Sequence, residues 1–485
     1  MSNDLRVLFV TPEAHPLIKT GGLGDVGGAL PSALREAGVD ARLLLPAYPG
    51  LIETVDAQPL GTPLLVLADM LEVQLFRGLM PDGNTPVYLI DAPSLYHRSG
   101  PYVDETGKDW ADNAFRFAVL SRAAAMFGTN AELFDWEPQI THCNDWQTGL
   151  TPAYLAHTPG NRMRTLITVH NMAFQGNFPP RLLTHLDLPK SSFGMQGLEF
   201  HGQFSFLKAG LYYADHITAV SPTYAEEIQT SEFGYGLEGL LAQRSDQLSG
   251  ILNGVDTAHW NPKNDPFLTA AYSSTNMQGK AANKLTLQQR FGLEPNPDVP
   301  LLGIVSRLTR QKGIDLVLAI ADQLLAQPVQ LAVLGSGDNT FESELQCLPR
   351  EQPGRVGIHI GYDEELAHLV EAGADIFLMP SRFEPCGLNQ MYSMLYGTPP
   401  VVRHTGGLAD SVVDATPSTL ADGTATGFVF TGANEAELLA CVLRALILFQ
   451  DRKTWRKLQT TGMQRDFSWA QSAAQYLALY QSLLT

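Results

Sequence analysis

Continuous apolar runs, each closed by a loop and followed by a helical stretch, occur in two successive series along this chain. That pattern constrains the fold more than any other feature. A strand with one wet face alternates apolar and polar residues, whereas a strand covered on both faces by helices is apolar throughout. The first series opens with Leu5–Thr11 (LRVLFVT), a glycine-rich loop, a helix over Leu23–Ala37 and a second run at Ala41–Leu45. It continues through Val87–Ile90, Thr165–Val169 and His216–Val220, with helical stretches at Trp110–Met126 and Gly202–Ala214. The second begins at Pro300 with LLGIVSR, then a helix from Gly313, LAVLGSG, VGIHIGY, DIFLMPS, a helix from Gly387 and PPVVRHTGG. Between them, NGVDTAHWNPKNDP (253–266) is turn-rich and holds two prolines. The expected fold class is α/β: two doubly wound Rossmann-like domains, 1–253 and 254–485, facing each other across a cleft. The segment after residue 450 reads as helical, and its return to the N-terminal domain is one expectation.

A chain of 485 residues with 45% apolar and 17% charged residues is long enough for two cores and has a globular composition. The net charge of −18, from 32 basic and 50 acidic residues, argues against nucleic acid or an anionic membrane as partner. No apolar helical stretch is long enough to span a bilayer, no signal-peptide pattern is visible, and the four cysteines lie far apart; a cytoplasmic protein with reduced thiols is expected.

In such folds ligands bind beyond the carboxyl ends of the strands. Lys19-Thr20-Gly21-Gly22-Leu23-Gly24-Asp25-Val26-Gly27 formally matches the dinucleotide pattern G-x-G-x-x-G. Ten residues separate it from Thr11, however, and the second strand ends at Pro46 without its acidic residue, so a dehydrogenase is excluded. The glycines suit an anion held at a helix amino end instead, with Lys19 adding a mobile charge. In the second series, Arg307 and Lys312 bracket the loop VSRLTRQKG, where a guanidinium fork and an ammonium can share one phosphate. Glu384, in PSRFEPCGL, sits in a strand-to-helix loop fixed by Pro385 and Gly387. A carboxylate there suits sugar hydroxyls; the bland alternative is an acid at a helix start. His170 ends a strand in TVHNMAFQG, Asp145 and Trp146 follow the strand before it, and RHTGGLAD is another strand–glycine–helix junction.

Taken in order, KTGGLGDV, HCNDWQTGL, TVHNMAFQG, NGVD, VSRLTRQKG, PSRFEPCGL and RHTGGLAD resemble the bacterial glycogen synthase and plant starch synthase family, over nearly the whole chain. The resemblance implies a GT-B fold and retaining transfer of glucose from ADP-glucose to an α-1,4-glucan, with no cofactor and no metal. It implies donor contacts from Lys19, Gly22, Asp25, Arg307, Lys312, Tyr362, Cys386, Gly387, Leu388, Thr405, Gly406 and Gly407. Catalytic roles fall on Lys19, His170, Arg307, Lys312 and Glu384, and acceptor or cleft positions on Tyr96, Asp145 and Asn253. The absence of any Asp-x-Asp agrees with cationic side chains, not a metal, neutralising the leaving group. UDP-glucose as preferred donor and a catalytically silent glycan-binding homologue are the alternatives; the latter needs a loss among Lys19, Arg307, Lys312 or Glu384, and none is lost.

Overall fold

In the computed structural model, which describes residues 5–67, 71–128, 134, 136–160 and 163–485, the chain divides into two compact units. One comprises 1–254 together with 469–485, the other 255–468.

The strands of the first unit are β1 (Arg6–Val10), β2 (Asp40–Pro46), β3 (Gln58–Val66), β4 (Leu71–Leu79), β5 (Pro86–Asp91), β6 (Ile140–Asn144), β7 (Arg164–Val169), β8 (Asn177–Phe178), β9 (Glu199–Phe200), β10 (Gln203–Ser205), β11 (His216–Ala219) and β12 (Leu248–Gly250). Nine form one sheet in the order β12-β11-β7-β6-β1-β2-β5-β4-β3. All neighbours are parallel except the last three strands, where β4 pairs antiparallel with β5 and β3. The apolar run at β1 is central as expected: Val7, Leu8, Phe9 and Val10 are fully buried. The β3–β4 edge was not expected from the pattern. Its strands are exposed or half-buried at most positions and bury only Leu64, Val66, Val73 and Leu75, every second residue over those short stretches, as a sheet edge largely wet on one face does. The small sheet β8-β10-β9 also escaped, because strands of two or three residues leave no period to read.

The second unit holds β13 (Leu301–Val305), β14 (Gln330–Gly335), β15 (Val356–Ile360), β16 (Ile376–Met379), β17 (Pro400–Arg403) and β18 (Phe428–Phe430), all parallel in the order β15-β14-β13-β16-β17-β18. The order reverses between β13 and β16, so the loops after these two strands meet at the topological switch point.

The helical tail splits. Arg452–Met463 packs within the second unit, and Trp469–Leu484 lies in the first, against the helix Gly22–Glu36. The reason lies beneath it. His142 on β6 is fully buried, and its Nδ1 is 2.7 Å from the Tyr480 hydroxyl while its Nε2 is 2.6 Å from Thr168 Oγ1. A buried imidazole needs partners on both nitrogens, and the last helix supplies one of them.

Candidate active site

In the first unit the glycine-rich segment begins its helix at Gly22, with Gly21 as N-cap and no side-chain cap. Backbone donors of the first turn are thus left to other partners. The chain before it is pinned by Glu13, a buried carboxylate that no motif marks. It accepts hydrogen bonds from the Thr20 N–H, from the Thr20 hydroxyl (2.7 Å) and from the Tyr102 hydroxyl. Lys19 Nζ reaches Asp25 Oδ1 at 2.7 Å, and both side chains stay partly exposed. Such a pair is worth little in water, so an arriving anion can displace Asp25 at small cost.

His170 follows β7 and is half-buried. Asn144 Nδ2 donates to the Val10 carbonyl at 3.0 Å, which turns its Oδ1 toward His170 Nε2, also at 3.0 Å. The hydrogen of His170 is thereby assigned to Nε2, leaving Nδ1 as an acceptor. Desolvation pushes the imidazole down to about 3, so it is neutral near pH 7. A neutral ring with a bare nitrogen can accept a hydrogen bond from a sugar hydroxyl.

Asp145 supports the loop after β7. It is buried, and its Oδ1 accepts from the backbone N–H groups of His170 (2.6 Å) and Asn171 (3.4 Å). Its backbone is strained at φ 55, a conformation that only surrounding contacts maintain. Burial raises its carboxyl to about 7 despite those hydrogen bonds. Tyr96 is fully buried and donates to the Arg116 carbonyl at 2.6 Å. Trp146 packs among Phe117, Phe178 and Phe206, an aromatic cluster of the first unit. Asn253 is buried at the end of the first unit, with its Oδ1 unpaired.

In the second unit, Lys312 and Glu384 come together. Lys312 Nζ lies 2.5 Å from Glu384 Oε2, which also accepts from Ser381 Oγ at 2.9 Å. The Glu384 side chain is 8% exposed and that of Lys312 16%, so the pair is nearly desolvated. The loop is held by Arg382, which donates to Asp315 Oδ2 at 2.7 Å and to the Ala433 carbonyl at 2.9 Å. Two glycines permit the geometry. Gly313 has φ +74, and a Cβ there would lie 2.1 Å from the Pro380 carbonyl oxygen; Gly406 has φ +42, and its Cβ would lie 2.0 Å from that of Glu384. The turn Thr405-Gly406-Gly407 therefore packs on the backbone of the Glu384 loop, and Gly407 N–H donates to the Glu384 carbonyl at 3.2 Å. Gly387 has positive φ, Cys386 is buried, and Leu388 caps the helix Asn389–Leu395. Arg307 stands exposed after β13, with no side-chain partner among the described residues. Tyr362, after β15, is 87% exposed.

The arrangement offers one buried carboxylate, an ammonium beside it and a second cation free to move. Glu13, Asn144 and Ser381 were missed. The only sequence signal for the last two was their position one and three residues before a nominated carboxylate.

Comparison with known proteins agrees. The family described as starch synthase catalytic domain matches residues 6–243, and that described as glycosyl transferases group 1 matches 286–460. The chain is 52% identical to the glycogen synthase of Nitrosomonas eutropha, covering 99% of this chain and 97% of that one. It is 50% identical to that of Rhodospirillum rubrum, covering 99% of each. Among solved structures, the catalytic domain of starch synthase IV from Arabidopsis thaliana, bound to ADP and acarbose, superposes with a TM-score of 0.88 at 32% identity over 99% of both chains. Sucrose-phosphate synthase from Thermosynechococcus elongatus shares the fold, with a TM-score of 0.59 at 18% identity over 99% of both.

Proposed function

The chain belongs to the bacterial glycogen synthase and plant starch synthase family of GT-B glycosyltransferases, and from that premise we propose that it takes glucose from ADP-glucose, in the cytoplasm, and adds it with retention to the non-reducing end of an α-1,4-glucan without a metal. The observation that carries this reading is the nearly desolvated Lys312–Glu384 pair, with Arg307 exposed on the same loop after β13 and without a side-chain partner among the described residues. Glu384 accepts hydrogen bonds from hydroxyls of the transferred glucose and fixes its anomeric carbon. Lys312 and Arg307 meet the diphosphate as negative charge builds on it, the electrostatic stabilisation that usually dominates such steps. Lys19 adds a further charge from the first unit, and neutral His170 accepts from the sugar. Tyr362 offers a ring face to the base, and the Thr405-Gly406-Gly407 turn offers backbone donors to phosphate. Adenine is preferred as the base by analogy with the starch synthase IV structure, which holds ADP. Among the described residues no helix is long and apolar enough to cross a membrane, and all four cysteines are free, which fits the cytoplasm.

The test is incorporation of glucose into glycogen from ADP-glucose and UDP-glucose in parallel. Efficient transfer from ADP-glucose alone is expected. Preference for UDP-glucose overturns the donor assignment, and transfer from neither overturns the activity.

A further inference from the structure

We infer that the second unit carries a binding site for a borderline divalent cation of the zinc type, formed by His259, Glu364 and His368 and separate from the transfer chemistry. Their ligand atoms all lie within 4.8 Å of one another. Glu364 and His368 are four residues apart on the helix Glu364–Gly373, so they share one face. His259 comes from the turn-rich segment that begins the second unit, and its Nε2 is 3.3 Å from Glu364 Oε1.

The decisive observation concerns His368. Its side chain is fully buried, and its Nδ1 is bound to Asp265 Oδ2 at 2.7 Å, while Nε2 has no hydrogen-bond partner. An imidazole desolvated at one nitrogen and unsatisfied there calls for an explanation. Donation of Nδ1–H to a carboxylate fixes the tautomer with the lone pair on Nε2, the arrangement that accompanies metal-bound histidines. Asp265 is itself held by the Tyr396 hydroxyl and the Phe267 N–H. The His368 ring is clamped by Trp260, stacked at 3.7 Å between centroids, and Trp260 stacks in turn on Tyr392 at 3.9 Å. One ligand is therefore rigid, while the other two, with side chains 45% and 49% exposed, are free to close on it.

Two imidazoles and a carboxylate are a known zinc ligand set with the fourth position left to water. Bonds of about 2.0–2.1 Å in a tetrahedral site put ligand atoms about 3.4 Å apart. The His259–Glu364 spacing already meets that distance. Rotation of these two side chains brings the rest of the set in. A bound cation would tie the segment 255–266 to the helix Glu364–Gly373, and its effect is on the stability of this unit, not on the leaving group.

The experiment uses tag-free, chelator-stripped full-length protein in a Cys347→Ser background, since Cys347 is an exposed thiol. Zinc binding is measured by calorimetry, and cobalt binding by its visible d–d absorption. One saturable equivalent of zinc is expected, with a cobalt spectrum of low coordination number and a raised melting temperature. His259→Ala and Glu364→Gln, both at exposed side chains, should each weaken binding at least tenfold and abolish the cobalt band, with glucosyl transfer unchanged. Absence of saturable binding, or equal binding by both variants, overturns the site. Neither result bears on the glucan reading, because transfer is assayed independently.

Discussion

A carboxylate buried beside an ammonium makes stability and catalysis separable at Lys312 and Glu384. Removing Lys312 takes away the cation proposed for the diphosphate and also leaves the nearly buried Glu384 carboxyl without its ammonium partner. The first effect belongs to the transition state: Lys312→Ala should lose kcat by a factor of hundreds, about 3–4 kcal/mol, with little change in the donor KM. The second is structural, about 3 kcal/mol of folding stability for breaking a buried pair. Glu384→Gln removes the stranded charge, so the double variant should recover most of the lost stability in urea melts while remaining inactive. If it regains activity with stability, Lys312 acts only as a prop. Asp145 offers a pH test. Its carboxyl stands at about 7 in the folded chain against roughly 3.9 when unfolded. Between those values the folded protein holds a proton that the unfolded chain has released, so this group's share of stability is complete below pH 4 and is lost as pH rises through 7. Asp145→Asn keeps an oxygen for the His170 and Asn171 N–H groups but does not titrate. Urea titrations at pH 5 and pH 8 should therefore show the variant gaining on the parent at the higher pH; a pH-independent difference removes Asp145 as the cause.

The last helix, Trp469–Leu484, tests how an element far away in sequence completes a core. Tyr480→Phe leaves His142 Nδ1 buried without its partner, and the cost should be about 1–3 kcal/mol. A chemical-denaturation shift near zero would mean that the ring alone, not the hydroxyl, holds the helix. Gly313→Ala should cost more than 1 kcal/mol, because φ +74 is strained for alanine and the new Cβ meets the Pro380 carbonyl. It should also lower kcat by displacing Lys312; unchanged kinetics would show that the loop gives way elsewhere. At this scale the sequence was readable where it was periodic. Two-sided burial marks β1, β13 and β14 as plainly as sequence can. The β3–β4 edge and the short strands near residues 177–205 carry no such mark. The candidate site is legible by address: Lys312 and Glu384 both lie in loops after strands, where ligands bind in such folds, and the fold brings them to 2.5 Å. What sequence does not encode locally is partnership between distant residues. Tyr96 is fully buried against the Arg116 carbonyl, and Glu13 anchors Thr20 and Tyr102, because burial is decided by residues tens of positions away.

Over the whole molecule, the net charge of −18 opposes an anionic donor at long range, so attraction must come from a few local cations. Those nominated are Lys19, Arg307 and Lys312, the first shared with Asp25, the second unpaired and the third shared with Glu384. The two on the second unit are of the right sign to offset a diphosphate leaving group without a cation from solution, as proposed above, and Lys19 carries a further positive charge on the first unit. The consequence is tested by chelation. Transfer from ADP-glucose to glycogen should proceed at full rate in excess EDTA, and added magnesium should not increase it. The inferred histidine–glutamate site sharpens this, because the same chelator would strip it and lower the melting temperature while leaving kcat untouched. Dependence of kcat on magnesium would hand charge neutralisation to a metal–nucleotide complex and remove Arg307 and Lys312 from that role. Loss of kcat reversed by zinc, but not by magnesium, would instead join the cation site to the chemistry that the present assignment keeps apart from it.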